Sequence, residues 1–174
     1  MVSDSLRFSG FATYMHAALK DYFDNATGFD RSRERPVDVP KFSFGTSATY
    51  QKDTSFGNIQ LRADYRWTSD IAKTQFNYFL DAQGVAHNAT NNAVMNPVVA
   101  QQLKDTTTEK AGGVLNARLS ATFGDNHYTA AVFVQNITNR RTIQSAAVIP
   151  APFDQSTGSL REPRSWGINL KYEW

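Results

Sequence analysis

The chain has 174 residues, the length of one domain or part of one. Its mean hydropathy of -0.46 and 41% hydrophobic content are those of many soluble proteins, and no stretch reaches the roughly 18 apolar residues of a membrane helix. A formal charge of +2 with scattered basic residues argues against nucleic acid as a partner, and zero cysteines exclude disulfides and thiolate metal sites.

A transmembrane β-barrel shares this composition, because half of each strand faces water. The opening "MVSDSLRFSGF" has no basic segment followed by an apolar run, so no secretory signal is expected within it. A first strand is expected over about 6–19, rich in β-formers but poor in alternation. A long connection over about 20–40 follows, with Arg31, Arg33 and Arg35 in "FDRSRERP". A solvated loop is the plain reading of these arginines; attraction of an anionic ligand or of lipopolysaccharide phosphates is the alternative.

The second strand, about 41–52, alternates Phe42, Phe44, Ala48 and Tyr50 with Ser43, Gly45, Ser47, Thr49 and Gln51. A tight turn around "KDTSFG" leads to the third, about 57–69. There Ile59, Leu61, Ala63, Tyr65 and Trp67 alternate with Asn58, Gln60, Arg62, Asp64, Arg66 and Thr68. A long connection over about 70–110 holds "NPVVAQQLK", where Asn96 as cap and Pro97 in the first turn predict a short helix. The fourth strand, about 111–123, and the fifth, about 127–138, are joined by the hairpin turn "GDNH". After a third long connection, about 139–163, the last strand runs over about 164–174. Short and long connections thus alternate, and all six prolines lie in or beside the long ones.

Small residues (Ala48, Ala63, Ala117) occupy mid-strand positions of the apolar face, whereas a sandwich core would place large aliphatics there. Aromatics gather at the strand ends. Phe42, Phe44, Tyr65, Trp67 and Trp166 mark one level, and Tyr50, Phe123, Tyr172 and Trp174 the other, as in the double girdle of an outer-membrane barrel. Arg62, Asp64, Arg66, Arg118 and Lys171 on the other face suit a wet lumen better than a dry core. The fold class expected is all-β: an antiparallel up-and-down meander of about six long strands.

The ending "SWGINLKYEW" resembles the signal by which bacterial outer-membrane proteins are recognised for barrel assembly, with Ser165, Gly167, Leu170, Tyr172 and Trp174 at the matching positions. "AAVFVQNITNRR", a loop of some twenty residues and "PRSWGINLKYEW" together are similar to the end of TonB-dependent receptors. In that family the penultimate strand closes on an Asn-Leu-Phe-Asp-like tetrad, here Asn136, Ile137, Thr138 and Asn139, and the final strand opens with Pro-Arg, here Pro163 and Arg164. The resemblance implies the C-terminal part of a barrel of about 22 strands, preceded elsewhere by a plug and an energy-coupling segment. It implies a bacterial outer-membrane location and the import of a nutrient such as an iron–siderophore complex, cobalamin or a glycan. The implied partners are outer-membrane lipid, the barrel-assembly machinery, the TonB complex acting through the plug, and a small nutrient ligand. Since the smallest barrels have about eight strands, six would leave two open edges, so the chain is expected to be a fragment that is not competent alone and is prone to aggregate.

No catalytic, cofactor-binding or metal-binding residues are expected. His16, His87 and His127 are far apart, and there is no phosphate loop or nucleophile motif. The Asn-X-Thr triplets at Asn25, Asn88 and Asn136 would go unused in a bacterial outer membrane. Two alternatives remain at this stage. One is a passive porin-type wall, distinguished by the absence of a plug. The other is a soluble β-sandwich binding module, distinguished by solubility without detergent.

Overall fold

The computed structural model describes residues 5–25, 28–32, 34–74, 78–81, 83, 85–88, 93–149 and 155–174. In chain order the elements are β1 (Leu6–Tyr14), β2 (Phe23–Asp24), β3 (Phe29–Asp30), β4 (Phe42–Thr54), β5 (Gly57–Thr68), β6 (Ile71–Ala72), β7 (Tyr78–Leu80) and β8 (Ala86–Asn88). Then come α1 (Pro97–Thr107), β9 (Thr108–Glu109), β10 (Gly112–Phe123), β11 (Tyr128–Gln135), β12 (Ile143–Ile149), β13 (Gln155–Leu160) and β14 (Ser165–Tyr172). Six long strands form one antiparallel sheet in the order β1-β4-β5-β10-β11-β14. Each long strand pairs with the next long strand in the chain, so the sheet is an up-and-down meander, as the alternation implied. Its two outer strands, β1 and β14, have one neighbour each among the described residues.

The short turns explain the tight joints. Asp125 and Asn126 both take positive φ, +53° and +72°, the backbone a two-residue hairpin turn requires to match strand twist. His127 N closes it on Gly124 O at 2.9–3.0 Å separation typical of such turns, here 3.0 Å. The helix also starts as its residues dictate: the Asn96 side chain accepts from Val98 N at 2.9 Å, and Pro97 occupies the first turn, where its missing N–H costs nothing.

Two strands are shorter than expected. β1 ends at Tyr14 rather than near 19; Met15 N still reaches Lys41 O at 2.9 Å, but the chain then leaves the ladder. β11 ends at Gln135 because Asn136 turns left-handed, φ +52°. The three long connections are also not bare loops. They carry four two-stranded ribbons, β2–β3, β6–β9, β7–β8 and β12–β13. Most of these strands are two or three residues long, too short to show a period.

Register puts one kind of residue on each face. Tyr50 pairs with Leu61, Leu61 with Leu119, Leu119 with Val132, and Val132 with Ile168. This apolar row and its neighbours two residues away share one face. The opposite face carries Ser47, Asp64, Asn116 and Asn169. The poor alternation of β1 and β11 has a local cause. Phe11 and Phe133 point to the polar face, where each is paired with a glycine, Gly45 and Gly167. A Cβ on Gly45 would lie 2.5 Å from Phe11 Cε1, and one on Gly167 2.6 Å from Phe133 Cζ. Each ring therefore lies flat in the space a missing side chain leaves.

No second layer covers the sheet among the described residues. The only buried apolar residues there are Ile71 and Ala131. A sandwich needs two sheets with interdigitated inner faces, so the soluble-sandwich alternative does not describe this structure.

Candidate functional site: an uncovered apolar face and a buried polar hub

The apolar face ends in two clusters of rings. At the long-connection end Phe42 lies 6.1 Å from both Phe44 and Trp67, Phe44 lies 5.7 Å from Trp67, and Tyr65 lies 5.9 Å from Phe44. Tyr14 lies opposite Phe42 in the register, and Trp166 stands near the start of β14, where that strand leaves the third long connection. At the short-turn end Phe123 lies 5.7 Å from Tyr128, Tyr128 5.0 Å from Tyr172, and Tyr172 6.3 Å from Trp174. Tyr50, across β4–β5 from Leu61, lies on the short-turn half of β4. Tyr14 and Tyr128 are not evident from the sequence, because their strands alternate poorly; the register reveals them.

Between the rings lie Ala48, Ala63, Ala117, Leu61, Leu119, Val132, Ile168 and Leu170. Leu61, Leu119 and Val132 are about half exposed, and Leu170 and Trp166 are each 77% exposed. Fully covering one such aliphatic side chain is worth roughly 1.5–3 kcal/mol. A soluble monomer's largest apolar patch is roughly 300–600 Å², and a face of this many large uncovered side chains exceeds it. From Phe42 to Tyr50 the strand rises about 27 Å, or roughly 20 Å along the normal at a barrel tilt of about 40°, close to the ~25 Å apolar band of outer-membrane barrels.

The long-connection end is built oppositely. β6–β9 brings Lys73 and Glu109 together at 3.1 Å, their side chains 4% and 5% exposed. Lys73 also meets Asp38 at 2.8 Å, while Arg140 and Arg161 approach Glu109 at 3.8 and 3.7 Å. One buried carboxylate thus joins residues of the second and third long connections, and Lys73 ties the first to them through Asp38. The second knot is Asn136. Its Oδ1 accepts from Arg140 N at 2.9 Å and from Thr138 Oγ1 at 3.1 Å, and its Nδ2 donates to Arg140 O and Glu162 O. Its own N–H goes to Asn116 Oδ1 at 2.9 Å. The Arg140 guanidinium donates to Gly112 O and Lys110 O. Asn139 Oδ1 accepts from Arg164 N at 3.3 Å. The tetrad is therefore a left-handed turn whose asparagines tie β11 to β10 and to the start of β14. Asparagine suits it because its short polar side chain tolerates positive φ and bonds locally. Sequence reasoning missed Lys73, Glu109 and Arg140, since partners brought together across long connections have no spacing signature.

Other singled-out residues fall as follows. In β14, Ser165 and Gly167 face the polar side and Leu170 and Tyr172 the apolar side, with Trp174 97% exposed just beyond the strand. Two arginines of the first connection are paired with carboxylates. Arg31 is buried with Glu34 at 3.6 Å, and Arg35 pairs with Asp70 at 2.7 Å; Arg33 lies outside the described residues. His16 is exposed, His87 Nε2 lies 2.9 Å from Asp81 Oδ2, and His127 Nδ1 lies 2.6 Å from Glu173 O. Asn136 is buried in its knot, so that triplet serves structure.

No protein-family model matches the chain, and no curated protein matches it either. Among solved structures it is similar to the ferric yersiniabactin uptake receptor FyuA from Yersinia pestis, with a TM-score of 0.54 and 14% sequence identity. The match covers 79% of this chain and 17% of the receptor's. At that identity the likeness concerns the fold: the meander described above recurs within a much longer receptor chain.

Proposed function

We propose that this chain is a section of the wall of a TonB-dependent receptor in the bacterial outer membrane. The observation that carries the proposal is the uncovered apolar face bounded at both ends by aromatic rings. The terminal "SWGINLKYEW", the asparagine tetrad followed by Pro163-Arg164, and the likeness of fold to an uptake receptor support it. Six strands with two open edges do not close in lipid, where every backbone donor and acceptor needs a partner; further strands beside β1 and β14 complete the wall. In this reading the chain supplies wall and three external connections, while a plug outside these residues couples transport to the TonB complex. Ser165, Gly167, Leu170, Tyr172 and Trp174 address the strand to the barrel-assembly machinery. The cargo is a small nutrient, an iron chelate, cobalamin or a glycan, and the chain performs no catalysis.

The test is depth-resolved quenching of tryptophan fluorescence in vesicles whose lipids carry bromine at defined acyl positions. Trp67, Trp166 and Trp174 should all be quenched most strongly by shallow labels, the first two from the leaflet opposite that of Trp174. Protein that stays monodisperse and unquenched without detergent would sink the membrane reading. A passive porin remains the competing membrane function, and the reading frame upstream separates them: a plug and coupling segment there support the receptor, and a bare run of strands the porin.

A further inference from the structure

The three long connections are not fastened to one another in the same way. The second and third are locked by groups that have left water. Arg140 donates to Lys110 O and approaches the buried Glu109, and α1 packs against β12 and β13. Opening that contact would take partners from Glu109, and a buried charge that loses partners is costly. The first connection meets the second through charges at the surface. Arg35 Nη1 lies 2.7 Å from Asp70 Oδ2, and its Nη2 donates to Asp70 O at 3.3 Å; both side chains are half-exposed. Asp38, with its side chain 66% exposed, reaches Lys73 Nζ at 2.8 Å, and its N–H donates to Ala72 O at 2.9 Å. Lys73 is buried, but its other partner, Glu109 at 3.1 Å, belongs to the second connection. Departure of Asp38 therefore leaves Lys73 paired, and water can solvate Arg35, Asp70 and Asp38.

Within itself the first connection is knotted. Tyr22 N donates to Ser32 Oγ at 2.9 Å, Arg31 N donates to Tyr22 O at 2.7 Å, and the buried Arg31 sits 3.6 Å from the buried Glu34. Pro36 and Pro40, on either side of Asp38, have fixed φ angles and stiffen the segment that carries the latch. We propose that this connection is an ionic strap. Arg35–Asp70 and Asp38–Lys73 latch it to the second connection; salt releases it as one unit, and the second and third connections stay joined as one block. Exposed pairs are weak, and the Debye length falls from about 10 Å at 0.1 M salt to about 3 Å at 1 M, whereas a buried pair such as Lys73–Glu109 is screened much less. The ends of the strap remain in the ladder, where Met15 N donates to Lys41 O at 2.9 Å and Ser69 N to Phe42 O at 2.8 Å. Release therefore moves the connection without opening the sheet. Ionic strength sets its position, so the inference holds for a receptor wall and a porin wall alike.

The chain has no cysteine, so spin labels can be placed singly at chosen positions. The experiment uses the whole chain in dodecylphosphocholine micelles and pulsed electron–electron distance measurements on two pairs of labels at exposed residues. F23C/V98C spans the strap and the second connection; V98C/L160C spans the second and the third. Between low salt and about 1 M sodium chloride, the first pair should gain a longer, broader component, its open population rising about fivefold. The second pair should keep its distribution, and sucrose of equal osmolality should move neither. D38N/D70N should show the open component at low salt and lose the salt response. R35D should also be open at low salt, and R35D/D70R latched again, a recovery that only a folded chain with this contact can show. An F23C/V98C distribution that ignores salt or answers equally to sucrose would overturn the proposal. So would a V98C/L160C distribution that opens with salt, or R35D/D70R left open at low salt.

Discussion

In the sheet, Trp166 and Leu170 stand 77% exposed, while at the long-connection end the side chains of Lys73 and Glu109 keep only 4% and 5% of their surface. A water-soluble domain would distribute these groups the other way round. The inversion is what the proposed wall requires, with the two regions facing different solvents. The sheet keeps its hydrogen bonds within the ladder and offers apolar side chains outward, as hydrocarbon demands. The connections are held by buried polar knots at Glu109 and Asn136. Changes that treat the two regions alike should therefore have unlike effects.

The largest contrast should come from one charge placed on either face. Leu119→Arg lies mid-strand between Leu61 and Val132, and an arginine at the bilayer midplane costs roughly 2–4 kcal/mol. Its neighbour Ser120 faces the other way, so Ser120→Arg should cost little. Urea titrations of the protein in vesicles measure both, and equal losses would remove the distinction between the faces. In the connections, Glu109→Ala removes the carboxylate shared by Lys73, Arg140 and Arg161. Lys73 keeps Asp38 and Arg140 keeps two carbonyls, so the cost should be about 2 kcal/mol, below the roughly 3–5 kcal/mol of a fully orphaned buried partner. Hydrogen exchange should rise at the bases of the second and third long connections together and stay unchanged in the centre of the sheet. A rise confined to β6–β9 would mean that Glu109 does not join them.

A smaller effect tests the glycine–aromatic pairs. Gly167→Val would put a Cβ 2.6 Å from the Phe133 ring. The ring is the far end of a movable side chain, so it should swing aside at a cost of about 1 kcal/mol. The double change Gly167→Val with Phe133→Ser should recover that cost and restore strict alternation in β11. If it does not, the ring was not lying over the glycine.

These pairs also mark the limit of what could be read from the chain. The alternation in β4, β5, β10 and β14 shows in the sequence because each residue answers only to its own face. In β1 and β11 the pattern breaks at Phe11 and Phe133, and the reason sits on a neighbouring strand, at Gly45 and Gly167. A one-dimensional pattern cannot register a partner 34 residues away. The same holds for the hub. Asn136 and Asn139 were legible as a family-like tetrad, but their task as a knot, and the meeting of Lys73, Glu109 and Arg140, depend on how three connections return to one place. The first connection shows the converse: the charges of Arg31 and Arg35 were visible, and the carboxylates that answer them, Glu34 and Asp70, were not recognisable as partners.

The smallest effect expected is a pH response confined to the connections. Across the β7–β8 ribbon the Asp81 carboxylate accepts from Val85 N at 2.8 Å and Gln83 N at 2.9 Å, and lies 2.9 Å from His87 Nε2. The bond from Val85, then that from His87, holds its pKa below the ordinary carboxylate value. A carboxyl group depressed in the folded state stabilises that state above its unfolded pKa, about 3.9, and loses the contribution as pH falls through the lower, folded value. The ribbon should therefore be insensitive between neutral pH and about pH 5 and loosen only in stronger acid, while the ladder of β5 and β10 holds. The Val85 amide shift, followed by NMR in micelles, should titrate with a midpoint under 3.9, and Asp81→Asn should abolish the step. A midpoint at or above the ordinary value would mean that the Asp81 cage does not form in solution, and would leave the β6–β9 hub as the part of the second connection held by buried charge.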